Sequence, residues 1–451
     1  ATVNTSSATS LGVTIDASTL GGAAPVCVVV VTNPDGASFR YSAISFKEPS
    51  QNLNAFRYGS SMLEARRGLA LLAGRPTATS RYLYAVGGDD GTATNVKTSV
   101  EAVPIDPFGA MGSFAAQRND LASAWDGAQT TSLPRAFAGA ARIGRFLYLV
   151  GGDDAAGPTS TLLRAQILDP LAGPEIVDLD AALGDSTTGM GPGLYLYRVS
   201  ALFPTTDPSN PGGESLAGEL FNVELPDVPE LLVITLGWAP VTGASGYRVY
   251  RTPLPDQTAD DLELMAELSG NASTTFFDDD TAAPDPTTTP MPHGSLGVWH
   301  VVPGATLATP RAATAPLAVA SGTAGQHYLY AVGGRTGVGT VTGSGEVATV
   351  TIAGDQSQTV SAWRPLTASL NPARAEVVAL SIVPGDTPVA GANTFLFFAC
   401  GRRTVTTITN VTEAAALGAN GDIAAFTGVQ APNPARVGAA GARARSRGGD
   451  H

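Results

Sequence analysis

The chain has 451 residues, a formal net charge of −13 and only 14% charged residues, with 52 glycines and 32 prolines. This length suffices for two or three domains, and the glycine and proline content predicts many turns and few long helices. The negative charge argues against binding to nucleic acid, which needs lysine and arginine on the phosphates, and no apolar run approaches the 18 residues of a membrane-spanning helix.

The first strand-like segment runs from Val26 to Phe56 and reads VCVVVVTNPDGASFRYSAISFKEPSQNLNAF. Its order of apolar strand, turn, strand, turn and aromatic residue matches the repeat described next, so residues 1–57 are interpreted as a degenerate first copy of it. The alternative is the end of an immunoglobulin-like TIG domain, because VVVTNPDG resembles the last hairpin of that family.

An alternating aromatic and aliphatic run ending in a glycine pair then recurs. It reads RYLYAVGG from Arg81, RFLYLVGG from Arg145, HYLYAVGG from His327 and, with cysteine replacing one glycine, TFLFFACG from Thr394. Such runs predict buried strands, and glycine allows a positive φ where neighbouring sheets crowd. The residues of this structural motif are Gly87, Gly88, Gly151, Gly152, Gly333, Gly334 and Gly401.

Each copy of the run has an arginine before it, in LEARRG, SLPRAF, ATPRAA or NPARAE, and a lone aromatic residue after it. One repeat is therefore predicted to be a four-stranded sheet, which cannot bury both faces alone and does so by stacking in a ring. The pattern resembles the kelch family. That resemblance implies an all-β fold with a kelch-type β-propeller of about five visible blades, and the ring is either incomplete or closed by terminal strands.

The spacing between the second and third glycine pairs leaves roughly 115 residues in excess of one repeat. Within them, ITLGWAPVTGASGYRVYRT from Ile234 resembles strands B and C of a fibronectin type III domain, with Trp238 as the core tryptophan. GLYLYRVSALF and GESLAGELFNVEL, which resemble the last two strands of that domain, come first along the chain. The expected immunoglobulin-like sandwich is therefore circularly permuted, or it borrows strands.

Candidate chemistry is sparse. The four histidines have no metal-binding spacing, and no phosphate loop or nucleophile elbow is present, so no catalytic or cofactor-binding residue is predicted. Cys27 and Cys400 are two buried thiols or one long-range disulfide. Acidic pairs follow two glycine pairs and would bind calcium or a sugar, or serve as solvated turn residues. These weak metal candidates are Asp89, Asp90, Asp153 and Asp154.

The triplet Asp278 to Asp280 is interpreted as a turn, and Arg443, Arg445 and Arg447 form a basic tail that is either disordered or docks on an acidic neighbour. The predicted division of the chain is 1–57 as the degenerate blade or TIG-like end, 58–175 as propeller blades, 176–290 as the inserted sandwich, 291–430 as further blades, and 431–451 as a closing strand and basic tail.

These features together favour a non-enzymatic structural or adhesive protein, extracellular or at the cell surface, that is a subunit of a bacterial-type filament, sheath or appendage. Lysine commonly protects exposed strand edges, and this chain has only Lys47 and Lys97. Expected partners are further copies, other surface proteins or glycans. The alternatives are a carbohydrate-binding propeller and, less favoured, an enzyme resembling galactose oxidase, whose copper-ligand spacing is not recognisable here.

Overall fold

The computed structural model describes residues 59–438, apart from 78, 93–94, 107–108, 185–187, 383–393 and 431–433, and the backbone of four strands before them. The described chain is all-β, as predicted. Its helices are single 3-10 turns, at Leu121–Ser123, Ala259–Asp261 and Ala419–Gly421. Within these ranges no helix has the length and apolar character needed to span a membrane.

The N-terminal strands form two antiparallel hairpins, in which β1 (Thr2–Ser6) pairs with β2 (Leu11–Thr14) and β3 (Val26–Thr32) pairs with β4 (Ser38–Ser45). Residues 1–61 and 105–112 form one compact unit, and the remaining residues form the other. Both interpretations of residues 1–57 require a hairpin of this kind, so both stay predictions. Residues 46–58 and the side chain of Cys27 lie outside the described part.

The second unit contains four sheets built from the repeat, antiparallel apart from the parallel pairing of β9 with β23, and in each the glycine-pair run forms an inner strand. Sheet A has β5 (Ala70–Gly74), β6 (Arg81–Val86), β7 (Val100–Ile105) and β8 (Ala115–Ala116). Sheet B has β9 (Ala124–Trp125), β10 (Thr130–Thr131), β11 (Gly139–Ile143), β12 (Phe146–Val150), β15 (Leu162–Gln166) and β23 (His300–Val301).

Sheet C has β24 (Ala315–Ala320), β25 (Gln326–Val332), β28 (Gly345–Ile352), β29 (Gln358–Val360) and β30 (Arg364–Pro365). Sheet D has β31 (Val378–Ile382), β32 (Phe395–Arg402), β33 (Ile408–Ala416) and β34 (Thr427–Val429). Two short hairpins follow glycine pairs: β13 (Asp153–Asp154) with β14 (Gly157–Pro158), and β26 (Arg335–Gly337) with β27 (Thr340–Val341).

The four sheets stack in chain order, because each neighbouring pair encloses its own apolar core. Tyr84 of sheet A and Leu149 of sheet B share the first core, Tyr148 of sheet B and Leu329 of sheet C the second, and Tyr330 of sheet C and Phe398 of sheet D the third. Alternate residues of one strand thus bury on opposite sides, as a period of two requires. Among the described residues the stack does not close into a ring.

The segment between β15 and β23 of sheet B forms two further sheets, E and F. β15 pairs with β23 although 133 residues separate Gln166 from His300. Sheet E has β16 (Ile176–Leu183), β19 (Leu232–Trp238) and β22 (Thr275–Asp278). Sheet F has β17 (Gly193–Leu202), β18 (Phe221–Leu225), β20 (Gly246–Arg251) and β21 (Glu263–Ser269).

The insert, defined as residues 176–278, has a core of its own. Trp238 and Ile234 of sheet E pack with Tyr197, Tyr247 and Val249 of sheet F in one apolar cluster. The ring centroids of Trp238 and Tyr247 are 5.5 Å apart in an edge-to-face arrangement, a favourable geometry for aromatic pairs. Both sheets are therefore stabilised by contacts made within the insert.

Candidate functional site

The first glycine of each pair occupies one recurring environment. The φ angles of Gly87, Gly151 and Gly333 are +60°, +58° and +65°. A Cβ at these positions would lie 2.1, 2.2 and 2.5 Å from the carbonyl oxygen of the arginine that leads the next sheet. Only glycine fits such a combination of left-handed backbone and close approach. Cys400 stands at this position in sheet D and keeps the same conformation, with a φ of +59°.

The repeat arginines are buried and tie together the strands of their own sheet. Arg311 Nη1 donates to the carbonyl oxygens of Gly333 at 3.2 Å and Ser344 at 2.8 Å, and Nη2 donates to Glu346 Oε1 at 2.7 Å. Glu346 also accepts the backbone N–H of Ala308 at 2.7 Å. Both charges are therefore paired and hydrogen-bonded, as a buried ion pair requires.

The same arrangement recurs in sheets A and D, where Arg66 binds Glu101 and Arg374 Nη1 lies 2.7 Å from Glu413 Oε2. The arginines were predicted from the sequence, but these glutamates were not. In sheets A, C and D each third strand contains one glutamate, and Glu346 and Glu413 lie opposite the glycine-pair run, two positions before its Gly-Gly or Cys-Gly pair.

Sheet B departs from this arrangement, because Leu163 stands where sheet C has Glu346 in the strand register. Arg135 consequently forms no ion pair with a carboxylate among the described residues. Its Nη2 donates to Thr161 Oγ1 at 2.6 Å, while its Nε has no hydrogen-bond partner there. Burial lowers the pKa of Arg135. The insert thus interrupts the one repeat in which the buried ion pair is missing.

A line of backbone hydrogen bonds connects the four sheets two residues after each repeat arginine. The N–H of Phe137 donates to Gly68 O at 2.6 Å, that of Ala313 to Phe137 O at 2.7 Å, and that of Glu376 to Ala313 O at 2.9 Å. All four residues have φ between +51° and +60°. This junction line, residues 68, 137, 313 and 376, fixes the register between neighbouring sheets.

The rim acids are defined as the four weak metal candidates that follow glycine pairs, Asp89, Asp90, Asp153 and Asp154. Two of them lie beside the junction line and are paired with arginine. Asp89 is buried and accepts from Arg67 Nε at 2.6 Å. Asp153 binds Arg335, yet its burial outweighs this cation and raises the pKa of the carboxyl. These two carboxylates therefore form ion pairs within the fold.

The other two predicted rim acids organise turns. Asp90 accepts from Thr92 Oγ1 at 2.7 Å and from Asn95, and these hydrogen bonds lower its pKa to about 2. Asp154 accepts two backbone N–H groups of its own hairpin, from Ala156 at 2.7 Å and Gly157 at 3.1 Å. Within the described ranges no three metal-binding side chains gather, so calcium at these residues stays a prediction.

A polar cleft lies where the loops of sheets C and D meet. One cavity of about 210 Å³ is lined by Arg335, Glu376, Arg402 and Thr404, among others. A second, of about 370 Å³, shares Thr404 and adds Arg403, Thr407 and Pro372. Arg402 Nε lies 3.1 Å from Glu376 Oε1. The cleft therefore offers guanidinium and hydroxyl donors beside a partly neutralised carboxylate, a set suited to a small polar ligand.

The first residue of the acidic triplet, Asp278, lies in a strand of the insert and not in a turn. Asp278 ends β22 and is buried, with both carboxylate oxygens 2.9 Å from Arg251 Nη1 and with Tyr197 Oη donating at 2.8 Å. Asp280 lies 2.7 Å from Arg251 Nη2. The turn interpretation is therefore wrong for Asp278, whose partner on β20 lies in the opposite sheet and is 27 residues away.

A buried histidine joins the insert to its host. His300 Nε2 accepts from Arg164 Nε at 2.9 Å, and Nδ1 lies 3.0 Å from Val298 O, which assigns the neutral ring with its proton on Nδ1. Burial, reinforced by Arg164, lowers the pKa of His300 to about 4. Arg164 also donates to the carbonyl oxygen of Gln358 and to that of Pro208 in the insert. Cys400 is a buried free thiol within the described part of the chain. The side chain of Cys27 lies outside that part, so the two-thiol and disulfide alternatives both stay predictions.

No protein-family model matches the sequence, and no curated protein matches it.

Proposed function

We propose that this chain is a non-enzymatic structural or adhesive protein of the extracellular space or cell surface, and that it is a subunit of a bacterial-type filament, sheath or appendage. In this proposal the four stacked sheets are kelch-type blades. The observation that carries the proposal is that the outermost face of sheet D is apolar and partly exposed.

Every repeat has an aromatic residue three positions before the glycine pair, and in sheets A to C this residue faces the following sheet. In the first three sheets it is a fully buried tyrosine, and each hydroxyl donates to an acceptor in the next sheet or in the loop that leads to its fourth strand. Tyr84 donates to Gly294 O, Tyr148 to Gln358 Oε1, and Tyr330 to Gly421 O, at 2.8, 2.6 and 2.7 Å.

In sheet D the same position is Phe397, which is only half-buried and has no hydroxyl. Leu380 lies opposite it, and Ile382 lies opposite Phe395, with exposed fractions of 47% and 39% for this second pair. Within the described part of the chain, the last face of the stack is thus apolar and carries no polar anchor. A contiguous exposed apolar patch commonly marks a protein–protein contact.

The insert supports the same class of protein. We interpret it as a fibronectin type III-like sandwich, since its sheet orders are β16-β19-β22 and β18-β17-β20-β21, with Trp238 in the shared core. β17 and β18, which come first, pair beside β20, and every strand comes from residues 176–278. This pattern favours the permuted interpretation over borrowed strands, and such modules commonly act as adhesive spacers on cell surfaces.

Electron microscopy and sedimentation velocity of the purified chain over a range of concentrations test the proposal. Ordered oligomers or filaments are expected, and Phe395→Lys is expected to reduce their formation by placing a charge on the apolar face. Val338→Lys is the matched control, because Val338 is a fully exposed apolar residue in the β26–β27 turn. A chain that stays monomeric at all concentrations would contradict the proposal.

The polar cleft favours a second candidate function, carbohydrate binding. Its arginines and threonines could hydrogen-bond sugar hydroxyls, and the larger of its two cavities, at about 370 Å³, falls within the size range of small-ligand sites. Glycan-array binding by the monomer tests this function. Binding that is lost in Arg403→Ala and kept in Arg81→Ala, which removes an exposed arginine elsewhere, would support it. Absence of any glycan signal would remove it.

A further inference from the structure

The insert has an exposed strand at one edge. β16 is the end strand of sheet E, pairs on one side with β19, and has no second neighbour among the described residues. All of its residues after Ile176 are exposed, including Val177 at 69% and Leu183 at 67%. An eight-residue edge with free N–H and C=O groups is a template for an added strand.

The two faces of β16 differ in character. Leu179, Ala181 and Leu183 lie opposite residues 236, 234 and 232 of β19, on the face that continues the core of the insert. Asp178 and Asp180 lie on the other face, and neither carboxylate has an ion-pair partner among the described residues. A strand that pairs here would satisfy the edge if it carried positive charge on one face and small residues on the other.

One segment of this chain has that pattern, and it lies outside the described residues. Arg443, Arg445 and Arg447 alternate with Ala444 and Ser446. In an extended strand, alternation places the three arginines on one face and the two small residues on the other. Opposite charges facing one another across two strands are stabilising, and like charges are not.

We propose that residues 443–447 of one copy add as a strand to the free edge of β16 in the next copy, with its arginines facing Asp178 and Asp180. The inference rests on the proposed function, since it names a second contact between filament subunits, which acts together with the apolar face of sheet D so that neither contact alone holds the assembly. Tail and edge are different surfaces, so the contact is heterologous and propagates from copy to copy.

The fold favours a second copy as the source of the tail. The N–H of Gly401 donates to Arg436 O at 3.0 Å, which holds the start of the tail at sheet D. The insert leaves from sheet B, and sheet C lies between the two. The seven residues from Arg436 to Arg443 span at most about 25 Å, and two sheet spacings take about 20 Å of that reach before the far edge of the insert.

Charge reversal on each side tests the proposal with the full chain. In one variant Asp178→Arg and Asp180→Arg reverse the edge; in a second, Arg443→Asp, Arg445→Asp and Arg447→Asp reverse the tail. Each variant alone is expected to sediment as a monomer at concentrations where the unmodified chain assembles. An equimolar mixture is expected to recover assembly, because each reversed surface meets its complement on the other variant. Asp227→Arg with Glu230→Arg is the control, since it makes the same charge change at exposed residues of the insert outside β16.

The outcomes separate this contact from the wider function. If both reversal variants assemble like the unmodified chain, the tail and edge do not form the contact, while the filament proposal stands. A third variant carries both reversals in one chain. If this variant recovers assembly but the equimolar mixture does not, the tail pairs within its own copy, and the proposal is wrong. If the unmodified chain never assembles, the proposed function fails as well. Equal melting temperatures of the variants show that loss of assembly is not loss of folding.

Discussion

The backbone N–H of Gly401 donates to the carbonyl oxygen of Arg436 at 3.0 Å, the same contact that Gly88 makes with Arg135 at 2.7 Å. In the earlier sheets this bond joins a glycine pair to the arginine of the following repeat. Arg436 therefore occupies the place of a fifth repeat arginine after sheet D. Arg436 lies in NPARVG, which matches the NPARAE that precedes the glycine-pair run of sheet D.

Gly333→Ala should destabilise the protein more than Gly339→Ala. Both glycines have a left-handed backbone, with φ of +65° and +72°, so both substitutions should cost the usual strain. Only at Gly333 would the added Cβ meet an atom, Arg374 O at 2.5 Å, whereas nothing lies within 4 Å at Gly339. The expected difference is about 1–3 kcal/mol, measured by urea unfolding. Equal costs would contradict the close approach of the sheets.

Arg311→Met should cost about 3–5 kcal/mol of unfolding free energy, because it leaves the buried carboxylate of Glu346 without its cation. Arg135→Met is the matched substitution in sheet B and should cost less than about 2 kcal/mol, since it leaves no buried carboxylate without its cation. Replacing Glu346 with leucine in the Arg311→Met background should recover much of the loss. Chemical denaturation of the four proteins provides the comparison, and equal losses for the two single variants would refute the distinction.

Excising residues 176–290 and joining the ends with a short glycine–serine linker should leave sheets A to D folded. The insert packs its own core, and a module of that kind contributes little to the stability of its host. The hydrogen bond from Arg164 to Pro208 is lost, so a modest fall in melting temperature is expected. Circular dichroism and thermal unfolding check the result. Loss of the cooperative transition would mean that the insert is integral to sheet B.

Trp238→Ala should destabilise the insert by about 3–5 kcal/mol, the usual cost of truncating a large buried aromatic residue. The edge-to-face contact with Tyr247 is lost as well. Leu254→Ala, at an exposed residue of the insert, should change stability by less than about 0.5 kcal/mol. Unfolding of the isolated insert, followed by circular dichroism, measures both. A loss below about 1 kcal/mol for Trp238→Ala would show that this residue is not part of the core.

His300 should make the protein sensitive to acid. Burial lowers its folded-state pKa from 6.5 to about 4, so the unfolded chain takes up a proton that the folded chain does not. Stability from this group is therefore complete above about pH 6.5 and falls as the pH drops toward 4, by at most about 3 kcal/mol. His300→Gln should flatten this part of the profile. The measurement is the difference in unfolding free energy between the two proteins from pH 7 to 4, and parallel profiles would contradict the assignment.

The sequence alone determined which segments pair locally and where the chain is interrupted. The sequence predicts the glycine-pair runs of sheets A to D, the aromatic residue before each last strand and the position of the insert. These features are predictable because strand periodicity and the positive φ of glycine are set by a few neighbouring residues. The core position of Trp238 was predicted from the resemblance of ITLGWAPVTGASGYRVYRT to strands B and C of a fibronectin type III domain, and Trp238 is buried in the core of the insert.

Only the tertiary structure decided which charges meet. Glu346 and Arg311, Asp278 and Arg251, and His300 and Arg164 are 35, 27 and 136 residues apart. Burial forces each group to find a partner, but the partner is set by sheet register and stacking, which local sequence does not specify. For the same reason the rim acids, predicted as a metal or sugar site, divide into the ion pairs of Asp89 and Asp153 and the turns of Asp90 and Asp154.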